Sequence, residues 1–169
     1  MFTAEFEGLA SVVAQNISVK IRGTDAVTTV PVLNEFPLTF VDGGIQVALG
    51  DAYGGERRRV VAMFDIKPRA ETGIVEIAEL VIRWAATVGQ VALHTVRFPV
   101  TIGAGSGADS ADADPEVVEH VNVLRVARAR KDANEAAAHG DFPHASKLLV
   151  DAADLLARTN ASPAEVAEL

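Results

Sequence analysis

Gly103-Ala-Gly105-Ser-Gly-Ala108 follows an apolar run and matches the GxGxxA pattern with which a strand-to-helix turn cradles a pyrophosphate. That chemistry needs a helix to begin inside the glycines, so that its first free amides point at the phosphates. Here the acidic stretch Asp109 to Asp114 intervenes and no βαβ unit surrounds it. The glycines therefore read as linker. Asp112-Ala-Asp114-Pro-Glu116, with Asp109 nearby, imitates the opening of a calcium loop. Counted from Asp112, however, Val117 and Val123 stand where the loop needs Gly and a bidentate Glu. Helix capping and solvated linker charge account for these acids. No GxSxG elbow exists, since Ala104 and Ala108 occupy the decisive positions around Ser106.

The four histidines are His94, His120, His139 and His144. His94 sits between Leu93 and Thr95 in a β pattern and reads as structural. His120 and His139 share a predicted helix but stand roughly 28 Å apart at 1.5 Å per residue, too far to share an ion. His139, Asp141 and His144 could converge around a turn, yet a zinc site would need a further ligand. Arg57-Arg58-Arg59 is the only run of three consecutive basic residues. On a strand Arg57 and Arg59 project together while Arg58 faces the other way, which splits the patch into a solvated edge. No residue is therefore assigned a catalytic, cofactor-binding or metal-ligating role, and no cofactor is expected.

The elements that hold these residues change character along the chain. Phe2, Phe6, Leu9, Val12 and Val13 fall at helical spacing and predict a helix within residues 1–16. From Ile17 the alternation of Ile17, Val19 and Ile21 with Ser18, Lys20 and Arg22 predicts a strand. Further strands are predicted at 27–34, 38–41, 45–49, 57–66, 74–85 and 91–102. Asp42-Gly43-Gly44 is the strongest hairpin turn, because glycine tolerates the positive φ of tight β-turns. About seven strands between turn residues predict an antiparallel β-sandwich over residues 17–102.

Residues 103–114 have the small, acidic composition of a flexible linker. Asp114, Pro115 and Glu116 then open a helix predicted to reach about His139, and Gly140-Asp141-Phe142 breaks it. A second helix restarts at Pro143, with Ala145, Leu148, Leu149, Ala152, Leu155 and Leu156 on one face. The pair is expected to form an antiparallel helical hairpin within residues 115–169, followed by a short third helix from Ser162. The expected fold is thus mainly β with C-terminal α.

The charge of −8 is unevenly spread. Nine basic and eleven acidic residues precede Gly103, against six and twelve from Gly103 onward. Such a surface repels polyanions, so nucleic acid is not an expected partner. The absence of cysteine excludes disulfides and thiolate chemistry and favours a cytoplasmic setting. No apolar run reaches the roughly 18 residues of a membrane span, so no membrane insertion is expected.

FTAEFEGLASVVAQNISVKIR at residues 2–22 and VALGDAYGGERRRVV at 47–61 resemble the region that follows the von Willebrand factor A domain in bacterial proteins of that kind. The similarity continues through AELVIRWAAT at 78–87 and HTVRFPVTI at 94–102. It implies a β-sandwich with a helical tail, and it implies that the helix within 1–16 connects from an upstream A domain. That domain would hold magnesium through a D-x-S-x-S signature. Asp109-Ser-Ala-Asp-Ala-Asp departs from the signature at both serines, so no metal residue carries over. Separately, Gly140, Asp141, Phe142, Ala145, Leu149 and Ala152 resemble one tetratricopeptide unit, with Phe142 plugging the turn. The same residues suit any tight helical hairpin, and that plainer reading is preferred.

The expected function is a non-catalytic accessory module that associates with a protein partner or with itself. The alternative is a hydrolase or carbohydrate-binding sandwich using carboxylates such as Asp51, Glu56 and Asp65. Trp84 and Tyr53 are the only large polar-edged rings available to stack on a sugar.

Overall fold

The computed structural model describes residues 12–68, 72–89, 91–105 and 113–157. The chain divides into two compact units, Met1–Asp109 and Ser110–Leu169. The first contains seven strands among its described residues: β1 (Val12–Gly23), β2 (Val27–Thr29), β3 (Leu38–Val41), β4 (Gly44–Tyr53), β5 (Asp65–Ile66), β6 (Gly73–Ala86) and β7 (Ala92–Ala104). Five of them form an antiparallel sheet in the order β3-β4-β1-β6-β7, and β2 pairs with β5 in a small second sheet. The fold is the β-sandwich that the strand pattern predicts.

The core lies between the two sheets. Val19 and Ile21 on β1 and Val47 and Leu49 on β4 are buried with Val32, and Ile17, Val30, Phe36, Val60, Ala62, Phe64, Leu80 and Ile82 pack around them. The register explains this selection. Val19 stands opposite Val47 on one side and Ile82 on the other, and Ile21 opposite Ile45 and Leu80, so the apolar alternates of three strands share one face. The segments 26–34 and 60–67 cover that face.

The covering segments are less regular than the sequence suggests. The strand expected at 27–34 stops at Thr29, because Pro31 has no N–H to give to a ladder. The strand expected at 57–66 shrinks to Asp65–Ile66. Between them the chains still pair, through an isolated bridge from Val32 to Ala62 and bonds from the Leu33 amide to the Val61 carbonyl and from the Met63 amide to the Pro31 carbonyl. The Asn34 side chain accepts from the Val61 amide at 2.6 Å.

The helix expected within 1–16 meets a correction. Val12 to Gln15 belong to β1, where Val12 pairs with Tyr53 and Gln15 with Ala85; residues 1–11 lie outside the described ones. Valines prefer a pleated surface when partners are offered on both sides, and here β4 and β6 supply them. Asn16, within the span expected to be helical, is an extra residue within the strand. Its φ is +53°, the ladder shifts register there against both neighbours, and its amide donates to Asp51 Oδ1 at 2.9 Å. The expected linker at 103–114 also starts later, since Gly103 and Ala104 complete β7.

The second unit contains α1 (Pro115–Ala138) and α2 (Phe142–Ala157), packed against each other through Val126, Ala129, Ala152, Leu155 and Leu156. Asp114 caps α1 by accepting from the Glu116 amide at 2.9 Å. The helix ends in a Schellman turn: Gly140 takes φ +82°, its amide donates to the Ala137 carbonyl and the Asp141 amide to the Ala136 carbonyl. Asp141 Oδ1 then accepts from the His144 amide and caps α2. Phe142 is 68% exposed and does not plug the turn as the tetratricopeptide likeness implies. The expected third helix lies outside the described residues.

Candidate functional site

The five-stranded sheet has a second face, and the same register decides what it presents. One cross-strand row runs Thr39, Gln46, Lys20, Val81, Arg97; the next runs Ala48, Ser18, Arg83, Thr95; a third runs Arg22, Glu79, Pro99. Four cations from β1, β6 and β7 therefore share one face with a single carboxylate, Glu79, among these rows. Beyond the bulge in β6, Glu76 stands opposite Thr101 and ends the cationic stretch.

The charges are held loosely. Glu79 accepts from Arg22 at 3.5 Å and from Arg97 at 3.3 Å, both long contacts at exposed guanidinium groups. Lys20 Nζ donates to the Asp42 carbonyl at 2.7 Å. Arg83 is exposed and has no ion-pair partner among the described residues. Val81, at the centre of the group with Lys20 and Arg97 as its direct cross-strand neighbours, is only 3% exposed.

The edge beside this face resists strand addition. Pro99 sits in unbroken register opposite Glu79, so its nitrogen, which has no hydrogen, turns away from β6 toward the open edge. That removes one donor from the outward row of β7 and blunts pairing there.

A second surface is an apolar groove of about 750 Å³ at the opposite side of the sheet, where β2 and the β3–β4 hairpin stand apart. Ile21, Val27, Val30, Pro31, Phe40 and Ile45 line it, and Phe40 is 83% exposed.

The residues singled out by sequence have other occupations. Arg58 is not a solvated edge cation: it donates to the carbonyls of Leu49 and Asp51 and pairs with Glu56 at 2.8 Å, tying the loop after β4 back onto that strand. Glu56 also accepts from the Tyr53 amide at 3.0 Å. The bond from Arg58, followed by that from Tyr53, holds the Glu56 carboxyl below its ordinary pKa. Asp51 bonds the Asn16 amide, and Asp65 accepts from the Thr29 hydroxyl. The three carboxylates of the hydrolase alternative thus each hold a piece of the scaffold.

His94 stacks on Trp84 across β6 and β7 with ring centroids 5.1 Å apart and planes 16° from parallel. His120 and His139 bond through Nδ1 to carbonyls one turn back on α1, at 2.8 and 2.7 Å. Among the described residues no three His, Asp or Glu side chains converge as an ion site, and no helix is long and apolar enough to cross a membrane. Gly103 and Ala104 lie in β7, Gly105 follows it, and residues 106–108 of the GxGxxA stretch fall outside the described residues.

Sequence reasoning missed the cationic face because its members are single residues up to 77 positions apart. Lys20-Ile21-Arg22 already places two cations on the solvent side of one strand. Folding the 74–102 segment about Gly89 would have set Arg97 opposite Val81 and Arg83 beside it. Compared with protein-family models, curated proteins and solved structures, the chain matches none.

Proposed function

We propose that this chain is a non-catalytic protein-interaction module, an accessory part of a bacterial von Willebrand A-type protein. The observation that carries the reading is the outer face of the five-stranded sheet, with four cations arranged in register on a chain of net charge −8. A surface whose sign opposes that of its own chain attracts a partner of the opposite sign, a second copy of this acidic chain included. The engagement of Asp51 and Glu56 with backbone amides and of Asp65 with the Thr29 hydroxyl favours this reading over hydrolysis.

In this reading the sandwich braces the A domain and presents its cationic face to a partner, and the acidic hairpin offers a second contact surface. Cross-linking through lysine in the source cells, followed by mass spectrometry, tests it. Links from Lys20 or Lys67 to a domain bearing D-x-S-x-S are the expected result. Saturable turnover in a screen of glycoside, ester and phosphoester substrates would sink the reading.

A further inference from the structure

We infer that the cationic face of the main sheet docks an extended acidic polypeptide segment whose carboxylates recur at alternate residues. The inference rests on the interaction-module reading and names the chemistry of the partner. Charge complementarity is the first argument. Lys20, Arg83 and Arg97 surround Val81, Arg22 adds a fourth cation, and Glu79 neutralises only part of the group. Arg83 has no ion-pair partner among the described residues, and its planar fork suits a carboxylate.

Spacing is the second argument. Arg83 is a diagonal cross-strand neighbour of both Lys20 and Arg97, and such diagonals span about 7–8 Å. Alternate residues of an extended chain lie about 6.4–6.8 Å apart on one side. A segment with acids at alternate residues therefore matches Lys20 and Arg22, two residues apart on β1, or Arg83 with either one of its diagonal neighbours. Room is the third. Ala48, Ser18 and Thr95 share Arg83's row and are small, which leaves a shallow trough beside the guanidinium, with hydroxyls for the segment's backbone.

A polyphosphate fits less well. A nucleic acid covers a broad footprint and gains affinity from many phosphate contacts, and beyond these four cations it meets a surface of net negative charge.

The test is fluorescence anisotropy on the full chain with a labelled (Glu-Ser)4 peptide in low salt. Saturable binding is expected, at least tenfold weaker for the Arg83→Gln/Arg97→Gln variant and weakened by raising the salt. Arg128→Gln/Arg130→Gln, the same charge change on α1, is expected to stay within twofold of the wild type. A Glu4Ser4 block peptide of equal charge is expected to bind more weakly than the alternating one. Absence of peptide binding overturns the inference, as do equal binding by the double variant, by the block peptide or by (Lys-Ser)4. So does tighter binding of an oligothymidylate or a phosphatidylserine vesicle through the same arginines. If the peptide fails while the lysine cross-links to an A domain persist, the interaction module stands and only its acidic partner falls. Loss of both removes the function as well.

Discussion

The two faces of the five-stranded sheet are made by the same strands and differ only in which alternate residue points each way. On the inner face Val19, Ile21, Val47 and Leu49 disappear under the segments that carry β2 and β5. On the outer face Arg22, Arg83 and Arg97 are exposed and Lys20 is half-buried. The inner face is held by burial, which is non-directional and scales with area. The outer face contributes little to folding, because exposed ion pairs are worth on the order of 0–1 kcal/mol. Four cations gathered where they scarcely stabilise the fold are available for recognition.

The comparison breaks most visibly from the inside. Leu49→Ala is expected to cost about 2–5 kcal/mol in a denaturant titration, by lost transfer energy and the cavity left behind. The surviving folded fraction should still bind acidic peptide, since no outer-face residue has changed. If binding fell in proportion to stability loss in fully folded protein, the two faces would not be independent.

Val81→Ala sharpens the comparison, because Val81 is the buried apolar residue of the outer face. Removing two methyl groups is expected to cost about 1–2 kcal/mol. Unlike Leu49→Ala, it should also weaken acidic-peptide binding, since Lys20 and Arg97 are its direct cross-strand neighbours. An unchanged affinity would mean that Val81 does not position them.

Arg83→Gln lies at the other extreme. It is expected to change stability by less than about 0.5 kcal/mol, the usual range for an exposed side chain away from caps and turns. A larger loss in the same titration would show that Arg83 supports the fold.

The smallest effect concerns pH. Glu56 is held below its ordinary pKa by Arg58 and the Tyr53 amide, so the folded state binds its proton less readily than the unfolded state. The stability this contributes is present above the ordinary carboxylate pKa and is lost as pH falls through the lowered folded value. Glu56→Gln is expected to flatten that acidic limb slightly while leaving the neutral-to-alkaline profile unchanged. Curves of identical slope between wild type and variant in acid would remove Glu56 from the linkage.

Much of the architecture was legible in the residues. Alternation in Ile17 to Arg22, the turn at Asp42-Gly43, and the caps at Asp114 and Gly140 act over a few positions, and local chemistry decides them before any tertiary contact forms. Gly43 takes φ +74° and Gly140 φ +82°, as glycine at a tight turn and at a helix end should. Val12 to Gln15 were misread because helical spacing of valines over so short a run is matched by a strand once neighbours pair on both sides.

The candidate site was not legible, for a physical reason. A sheet makes neighbours of residues that the chain keeps far apart, and a shift of one position in register would turn every side chain to the other face. Sequence by itself determined which residues alternate, where the turns fall, and that a β unit precedes a helical one. Only the tertiary pairing of β1 with β6 and of β6 with β7 brought Lys20, Arg22, Arg83 and Arg97 onto one surface and turned Arg58 inward to the β4 carbonyls. Long-range registry, which no local propensity encodes, decided where the charge of this protein is gathered.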